Sequence, residues 1–311
     1  MKRTVVMMAA LVMLAFATAG LAQDAAKEEA DAYKAWYDAY TAKDAAKRLE
    51  FGKAFIAKFP NSKNIAYVKG DVVKARGELF NAARQAKNVA EEIRLGEDAL
   101  GANPEDIDYL YFLAFDLRTF ELFANPPNYS HEAKAVEYTQ RLIKLIEAGK
   151  VPNVVAKDKW NQNVILAFFN HTFAALEQKN NNTDKAIEIY KKCISLDPSG
   201  VNYFFQIGSL YYTKYSAAAK KFEALPTEKK QQPESDPEAK ALLDDLNAQA
   251  DAVIDSWARF LALSKTSPQW ASARPQIEEA ATALFKFRNP DSTTGFQDLV
   301  NKYATGAPPT N

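Results

Sequence analysis

Residues 186–211 read AIEIYKKCISLDPSGVNYFFQIGSLY, and this stretch decides the fold. Large, small and aromatic side chains recur at helical spacing on both sides of Pro198, which ends the first helix. Small residues let paired helices approach closely, while large ones fill the space between them. The stretch therefore predicts the end of one helical hairpin and the start of the next. The positions that carry this pattern are Ala186, Tyr190 and Cys193 before the proline and Phe204, Ile207, Gly208 and Tyr211 after it.

The same spacing recurs upstream in weaker form. A shift of 34 residues predicts a helix at about residues 159–178, where Asn170 stands in place of a large apolar residue. Another copy follows Pro104, and its second helix is expected from Ser130, as N-cap, to about Ala148. The apolar and small positions of that copy are Leu110, Leu113, Ala114 and Leu117.

Two more hairpins fit between residues 24 and 104. Pro60 and Pro104 both follow a predicted helix, and a glycine lies eight residues before each of them, at Gly52 and at Gly96. The spacing between these two prolines is 44 residues, longer than the repeat downstream.

These motifs resemble the tetratricopeptide repeat, a pair of helices that stacks on its neighbours. The segment FIAKFPNS at residues 55–62 is also similar to the helix end of tetratricopeptide proteins of the bacterial envelope, such as outer-membrane assembly and Tol-Pal accessory factors. The resemblance implies an all-α solenoid of about five hairpins over residues 23–290, followed by a C-terminal tail at 291–311.

One hairpin is predicted to be extended, at about residues 201–263. Its first helix continues past Tyr215 to Leu225, and its second begins at Asp236-Pro237, a cap followed by a first-turn proline. The tip near Gln231 is polar. Two interpretations stay open, a helical hairpin that protrudes from the stack and a mobile insertion without a function.

The chain after this hairpin should close the stack. A helix is expected from Ser267-Pro268 to Phe287, and Asn289-Pro290 ends it. A short helix is expected at about residues 296–303, and residues 306–309 should be disordered.

The N-terminus is typical of a secretory signal. Lys2 and Arg3 precede an apolar run, and Gly20-Leu21-Ala22 provides a small-residue exit. We expect cleavage of residues 1–22 after Ala22, export to the periplasm and a soluble mature chain without stable membrane insertion. The alternative is that the segment is retained as an anchor.

Composition argues against several functions. The chain has 39 basic and 39 acidic side chains, so no basic surface for nucleic acid is expected. Cys193 is the single cysteine and is expected to be buried, and the two histidines are not at metal-binding spacing. Adjacent acids such as Glu91-Glu92 are interpreted as solvated surface. The sequence therefore predicts no enzyme, no cofactor and no metal.

Aromatic side chains are the better indication of function, because they occur on more than one face of their helices. In proteins that resemble this family, the opening helix of each unit lines a concave groove. Exposed rings there would bind a protein or peptide segment, and the alternative is tighter packing against the previous repeat. The resemblance places the groove at Asp108, Tyr111, Phe115 and Arg118 in one repeat, Phe168, His171, Ala175 and Gln178 in the next, and Asn202, Phe205, Ser209 and Tyr212 in the third.

The sequence thus indicates a non-catalytic periplasmic scaffold that binds a partner segment in an aromatic groove, and envelope assembly is the broader role we expect. A second hypothesis is a small-molecule or glycan-binding protein that uses the same groove. The second hypothesis requires a closed pocket and stabilisation by a ligand, whereas a scaffold requires an open surface.

Overall fold

A computed structural model describes residues 24–306, and every regular element in that range is a helix. The described chain forms two compact units, residues 24–154 and residues 155–306. The predicted signal, residues 1–22, and residues 307–311 of the predicted tail lie outside the described residues. The domain boundaries at residues 23, 290 and 291 stay predictions.

The first unit contains three consecutive helical pairs. Short turns join the helices of the first two pairs, whereas residues 118–131 join those of the third, and from α2 onward each helix packs against the next. The helices are α1 (residues 24–41), α2 (Ala45–Lys58), α3 (Ile65–Gln85), α4 (Val89–Ala102), α5 (Ile107–Leu117) and α6 (Glu132–Glu147).

Three of the turns between paired helices have the same backbone conformation. Lys43, Lys87 and, in the second unit, Asn181 all have positive φ, at 57°, 54° and 60°. Each is followed by an Asp or Asn at the N-cap position of the next helix, and the side chains of Asp44 and Asn88 accept from Lys47 and Glu91 backbone N–H groups. A left-handed residue ends one helix and a capping side chain begins the next.

The second unit contains two further pairs and a helical end. The α9–α11 pair is the extended hairpin, and α12 and α13 pack against α11. The helices are α7 (Gln162–Lys179), α8 (Thr183–Leu196), α9 (Val201–Glu223), α10 (Thr227–Gln231), α11 (Pro237–Leu263), α12 (Arg274–Arg288) and α13 (Phe296–Ala304).

Close approach of the helices depends on glycine at three positions. A Cβ atom on Gly208 would lie 2.3 Å from Cδ1 of Trp257, which shows how tightly α11 lies on α9. On Gly52 it would lie 2.4 Å from a Val72 methyl group, and on Gly96 it would lie 2.7 Å from Leu113. Gly208, a small position predicted from the sequence, is therefore a point of helix contact, and Gly52 and Gly96 are two more.

The all-α, tetratricopeptide-like hairpin fold predicted from the sequence is confirmed, with five pairs in residues 24–306. The extended hairpin is also confirmed, and α11 begins where predicted because Asp236 accepts hydrogen bonds from the Glu238 and Ala239 N–H groups. Cys193 is buried, and its thiol donates to the Ala167 carbonyl oxygen at 3.4 Å.

Two predicted helix starts are wrong. Ser130 does not cap α6, because its N–H and hydroxyl both donate to Asn128 Oδ1, and the N-cap position falls on His131. The helix expected from Pro268 begins at Arg274, since residues 268–270 form a 3₁₀ turn first. Among residues 24–306, none of the helices combines the length and apolar character that crossing a membrane requires.

Candidate functional site

The predicted groove residues of the first unit lie on α5 and the π-helical turn after it, Arg118–Leu122. Asp108 accepts from the Asn153 backbone N–H at 2.7 Å and side-chain amide at 3.0 Å, so it anchors the loop after α6. The guanidinium of Arg118 lies 4.2 Å from the centroid of the Phe123 ring. Asp108 and Arg118, the first and last members of this set, therefore stabilise the loops beside α5.

The two aromatic members of this set contact each other. The rings of Tyr111 and Phe115 stack with centroids 6.1 Å apart, and both side chains are half-buried. Burial raises the pKa of Tyr111, because an ionised phenolate would lose its hydration there.

In the second unit, the structure brings His171 and Asn202 together. His171 is 4% exposed, and its Nε2 lies 3.1 Å from Asn202 Nδ2. The rings of Tyr190 and Tyr203 enclose the imidazole at 5.7 Å and 5.5 Å, and Phe168 makes an edge contact with the next ring on its own helix. The histidine is part of a packed junction of α7, α8 and α9.

Phe205 and Tyr212 differ from each other although both lie on α9. Phe205 packs against Trp270 at 5.0 Å and Phe260 at 5.4 Å, so its ring covers the core of the second unit. Tyr212 is 40% exposed, with its ring 5.3 Å from that of Trp257. Phe205 is thus packed, but against α11 and the turn after it and not against the previous repeat. Tyr212 is exposed to solvent. Partner binding by the predicted groove residues stays a prediction.

The structure also shows an aromatic surface on the first unit that the sequence interpretation did not include. We name it the tyrosine ladder, and it consists of Tyr33, Tyr37, Tyr40 and Tyr67. Neighbouring ring centroids lie 6.3 Å, 6.2 Å and 6.0 Å apart along the series. Tyr37, Tyr40 and Tyr67 are 46%, 38% and 54% exposed, so these rings form one continuous surface open to solvent.

A buried polar cluster holds the ladder in place. Trp36, fully buried beneath the tyrosines, donates from Nε1 to Asp71 at 3.1 Å. Arg48 pairs with the same carboxylate through two hydrogen bonds of 3.1 Å and 2.5 Å, and its guanidinium lies 5.7 Å from the Tyr40 ring. Residues of α1, α2 and α3 therefore share one buried carboxylate, which fixes the rings above it.

Helical spacing explains part of this surface. Tyr33, Tyr37 and Tyr40 follow i, i+4, i+7, so they share a face of α1. Tyr67 joins them through the packing of α3 on α1, which is a contact distant in sequence. The pKa of Tyr67 is raised, mainly by a hydrogen bond with Tyr40 and to a smaller extent by desolvation.

Titratable groups outside the aromatic surfaces include one buried acid pair. Glu92 and Asp116 are each 2% exposed, so the interpretation of Glu92 as solvated surface is wrong. Arg84 donates from Nε to Asp116 at 2.5 Å and lies 4.0 Å from Glu92 Oε1. Burial and the neighbouring Asp116 raise the pKa of Glu92 to about 9.

Two other reactive side chains have packing or pairing roles. Burial raises the pKa of the Cys193 thiol to about 12, which keeps it protonated and unreactive. His131 Nδ1 lies 2.9 Å from the buried Glu121 carboxylate and joins the π-helical turn to the start of α6. Within residues 24–306, no three His, Cys, Asp or Glu side chains meet in an arrangement that could hold a metal ion.

Comparison with known proteins gives a structural likeness. The chain is similar to a TPR repeats protein from Bacteroides fragilis, with 15% identity, a match covering 81% of this chain and 98% of that chain, and a TM-score of 0.44. No protein-family model and no curated protein matches the chain. The likeness concerns the course of the helices and carries no statement about a ligand or partner.

Proposed function

We propose that this chain is a non-catalytic scaffold that binds a segment of a partner protein, and that the tyrosine ladder is its main contact surface. The observation that carries the proposal is the exposure of three tyrosine rings in contact with one another. A core-facing stripe would bury these rings, and contiguous exposed apolar surface of this kind marks interaction sites.

The chemistry of the ladder suits a polypeptide. Tyrosine offers a large, rigid contact area at a small cost in side-chain entropy, and its hydroxyl can bond to a peptide group. The buried Trp36–Asp71–Arg48 cluster limits movement of the rings before binding. A surface prepared in this way loses less conformational entropy when a partner docks.

A smaller contact is proposed on the second unit. Tyr212 is the exposed member of the predicted groove set, and its ring stacks at 6.1 Å with that of Tyr215. Phe205 is left out of the proposed contact because Trp270 and Phe260 cover its ring.

We further propose that the chain works in the periplasm, after cleavage between Ala22 and Gln23, in assembly or maintenance of the envelope. The support is the sequence of residues 1–22, with its basic start, apolar run and small exit. Fractionation and N-terminal sequencing of the native protein test this, and a mature chain that begins at Gln23 in the periplasmic fraction is expected. Retention of residues 1–22 in the membrane fraction would support the anchor instead.

The test of binding is affinity capture on residues 23–311 from an envelope extract. A ladder variant, Tyr37→Ser with Tyr67→Ser, removes two exposed rings, and Phe287→Ser removes a comparably exposed ring, 53%, from α12. The parent and Phe287→Ser should retain the same specific proteins, and the ladder variant should lose them. Equal retention by all three proteins would refute the ladder as the contact surface.

The small-molecule or glycan alternative predicts a different result for the parent and the ladder variant. A ligand library would then raise the melting temperature of the parent and not that of the ladder variant, while no protein would be captured in a ladder-dependent way. That result would replace the scaffold by a ligand-binding function.

A further inference from the structure

A cleft between α2 and α3 combines an apolar floor with a basic rim. Its volume is about 410 Å³, within the range of about 300–1,000 Å³ found for ligand sites. The floor is formed by Ile56, Val72 and Val73 with two alanines, and the rim by the exposed Lys53 and Lys69; Arg76, which is 8% exposed, completes the lining. We name this feature the basic cleft.

The floor presents apolar surface to solvent. Val73 is 60% exposed, the largest exposure recorded for a large apolar side chain in the described residues, whereas its neighbour Val72 is buried. Lys69, Val73 and Arg76 follow i, i+4, i+7, so one face of α3 carries a cation, an apolar side chain and a second cation in sequence. Exposed apolar surface that shares a cleft with the exposed cations Lys53 and Lys69 favours a ligand that combines an apolar group with acidic groups.

The charges around the cleft do not cancel. Lys53 and Arg76 share one carboxylate, that of Asp98, which accepts from Arg76 Nε at 2.7 Å. Lys69 makes no ion pair within residues 24–306. Three cations therefore face the cleft with one carboxylate beside them, and no acidic side chain lines it.

A neighbouring cavity differs from the basic cleft in the balance of its charges. The cavity of about 450 Å³ on the other side of Lys53 is lined by Glu50 and Glu91 as well as by Lys53 and Arg94, so its charges balance. The positive excess is thus a property of the basic cleft and not of this end of the first unit as a whole.

We infer that the basic cleft binds an acidic segment of a partner protein through one large apolar side chain flanked by carboxylates. This inference goes beyond the tyrosine ladder and rests on the proposed function only in that the chain binds protein segments. The two exposed cations of the cleft, Lys53 and Lys69, lie on different helices, α2 and α3. A segment with two carboxylates can pair with both, while the single head group of a fatty acid pairs with one.

The test is selection of random 12-residue peptides displayed on phage against residues 23–311. Peptides with two or more Asp or Glu residues around a Leu, Ile, Phe or Met should be enriched. A synthetic copy of an enriched peptide should bind at least about tenfold more weakly to Val73→Asn, which removes the apolar contact, and to Lys69→Glu, which removes the cation. Its affinity should also fall as salt rises from about 50 to about 500 mM.

The control variant is Lys74→Glu, which makes the same charge change at an exposed position of α3 outside the cleft lining. It should change the affinity less than about twofold. If Lys74→Glu and Lys69→Glu weakened peptide binding equally, the effect would come from the overall charge of the chain and not from the cleft, which would overturn the inference. Displacement of the peptide by laurate at stoichiometric concentration would indicate a lipid site and would also overturn it.

The ladder variant separates this inference from the proposed function. Enrichment that depends on Val73 and Lys69 but survives Tyr37→Ser with Tyr67→Ser supports the basic cleft. Enrichment that depends on the ladder alone leaves the scaffold function in place and overturns the cleft. Selection that enriches no peptide on the parent overturns the basic cleft, and the capture experiment then decides the scaffold function separately.

Discussion

The Arg84–Glu92–Asp116 cluster should make the stability of the first unit fall as the pH rises. Glu92 is buried beside a second carboxyl group, one Arg84 guanidinium faces the pair, and the Phe112 ring covers that guanidinium at 3.4 Å. Glu92 Oε1 has no hydrogen-bond partner among the described residues. A single cation faces two acids, so the arrangement favours the protonated form of Glu92.

The direction of this pH dependence follows from the raised pKa of Glu92. Burial is the larger cause and the nearby Asp116 the smaller one, and together they raise the pKa from 4.5 to about 9. The folded chain then holds one more proton than the unfolded chain between these values. The contribution of this proton to stability is complete below pH 4.5 and is lost as the pH rises toward 9. One proton corresponds to about 1.4 kcal/mol per pH unit, or about 3 kcal/mol between about pH 6 and about pH 8.

The variant Glu92→Gln removes this proton uptake and keeps the shape of the side chain. Hydrogen exchange of peptides from α4 and α5, measured by mass spectrometry at several pH values, gives the local free energy of opening after correction for intrinsic exchange. The parent should lose about 1.4 kcal/mol per pH unit more than Glu92→Gln over this range.

Glu91→Gln is the matched control. Glu91 is the adjacent residue, and hydrogen bonds from Arg94 lower its pKa, so it is already ionised over the measured range. Its substitution should leave the slope of the parent unchanged. Equal slopes for the parent and Glu92→Gln would refute the assignment of a buried, protonated glutamic acid.

Three further predictions concern packing, a thiol and a cap. Gly208→Ala should lower the free energy of unfolding by about 1–3 kcal/mol in urea titrations, because the new methyl group overlaps Trp257; Gly70→Ala, with nothing within 4 Å of its Cβ, should not. Cys193 should react with Ellman's reagent only at the rate of unfolding, so fast labelling of the native chain would contradict its burial. Asp236→Ala should cost about 1 kcal/mol and increase hydrogen exchange at the start of α11, and unchanged exchange would argue against the cap.

Local chemistry explains which parts of the fold were predictable. Asp236-Pro237 fixes the start of α11 because a capping side chain and a first-turn proline act on their own helix. Ser130 carries the same kind of signal, but Asn128, two residues earlier, takes its N–H and hydroxyl. A cap is thus predictable from sequence only where no adjacent side chain competes for the same groups.

The aromatic surfaces depend on contacts between distant residues. Phe205 has the spacing of a groove position, yet the 3₁₀ turn that carries Trp270 folds back over its ring. Tyr40 and Tyr67 meet only because α3 packs on α1. Glu92 similarly becomes buried through Asp116 and Arg84, so neither its exposure nor its pKa follows from its place beside Glu91 in the sequence.

The most direct test of the scaffold function is photo-crosslinking in cells of the source organism. p-Benzoylphenylalanine replaces Tyr37 or Tyr67 in the ladder or, as a control, the exposed Phe287. Irradiation should join the same partner protein to the chain from both ladder positions and not from the control position. Absence of adducts at both ladder positions, or the same adducts at all three, would contradict the account.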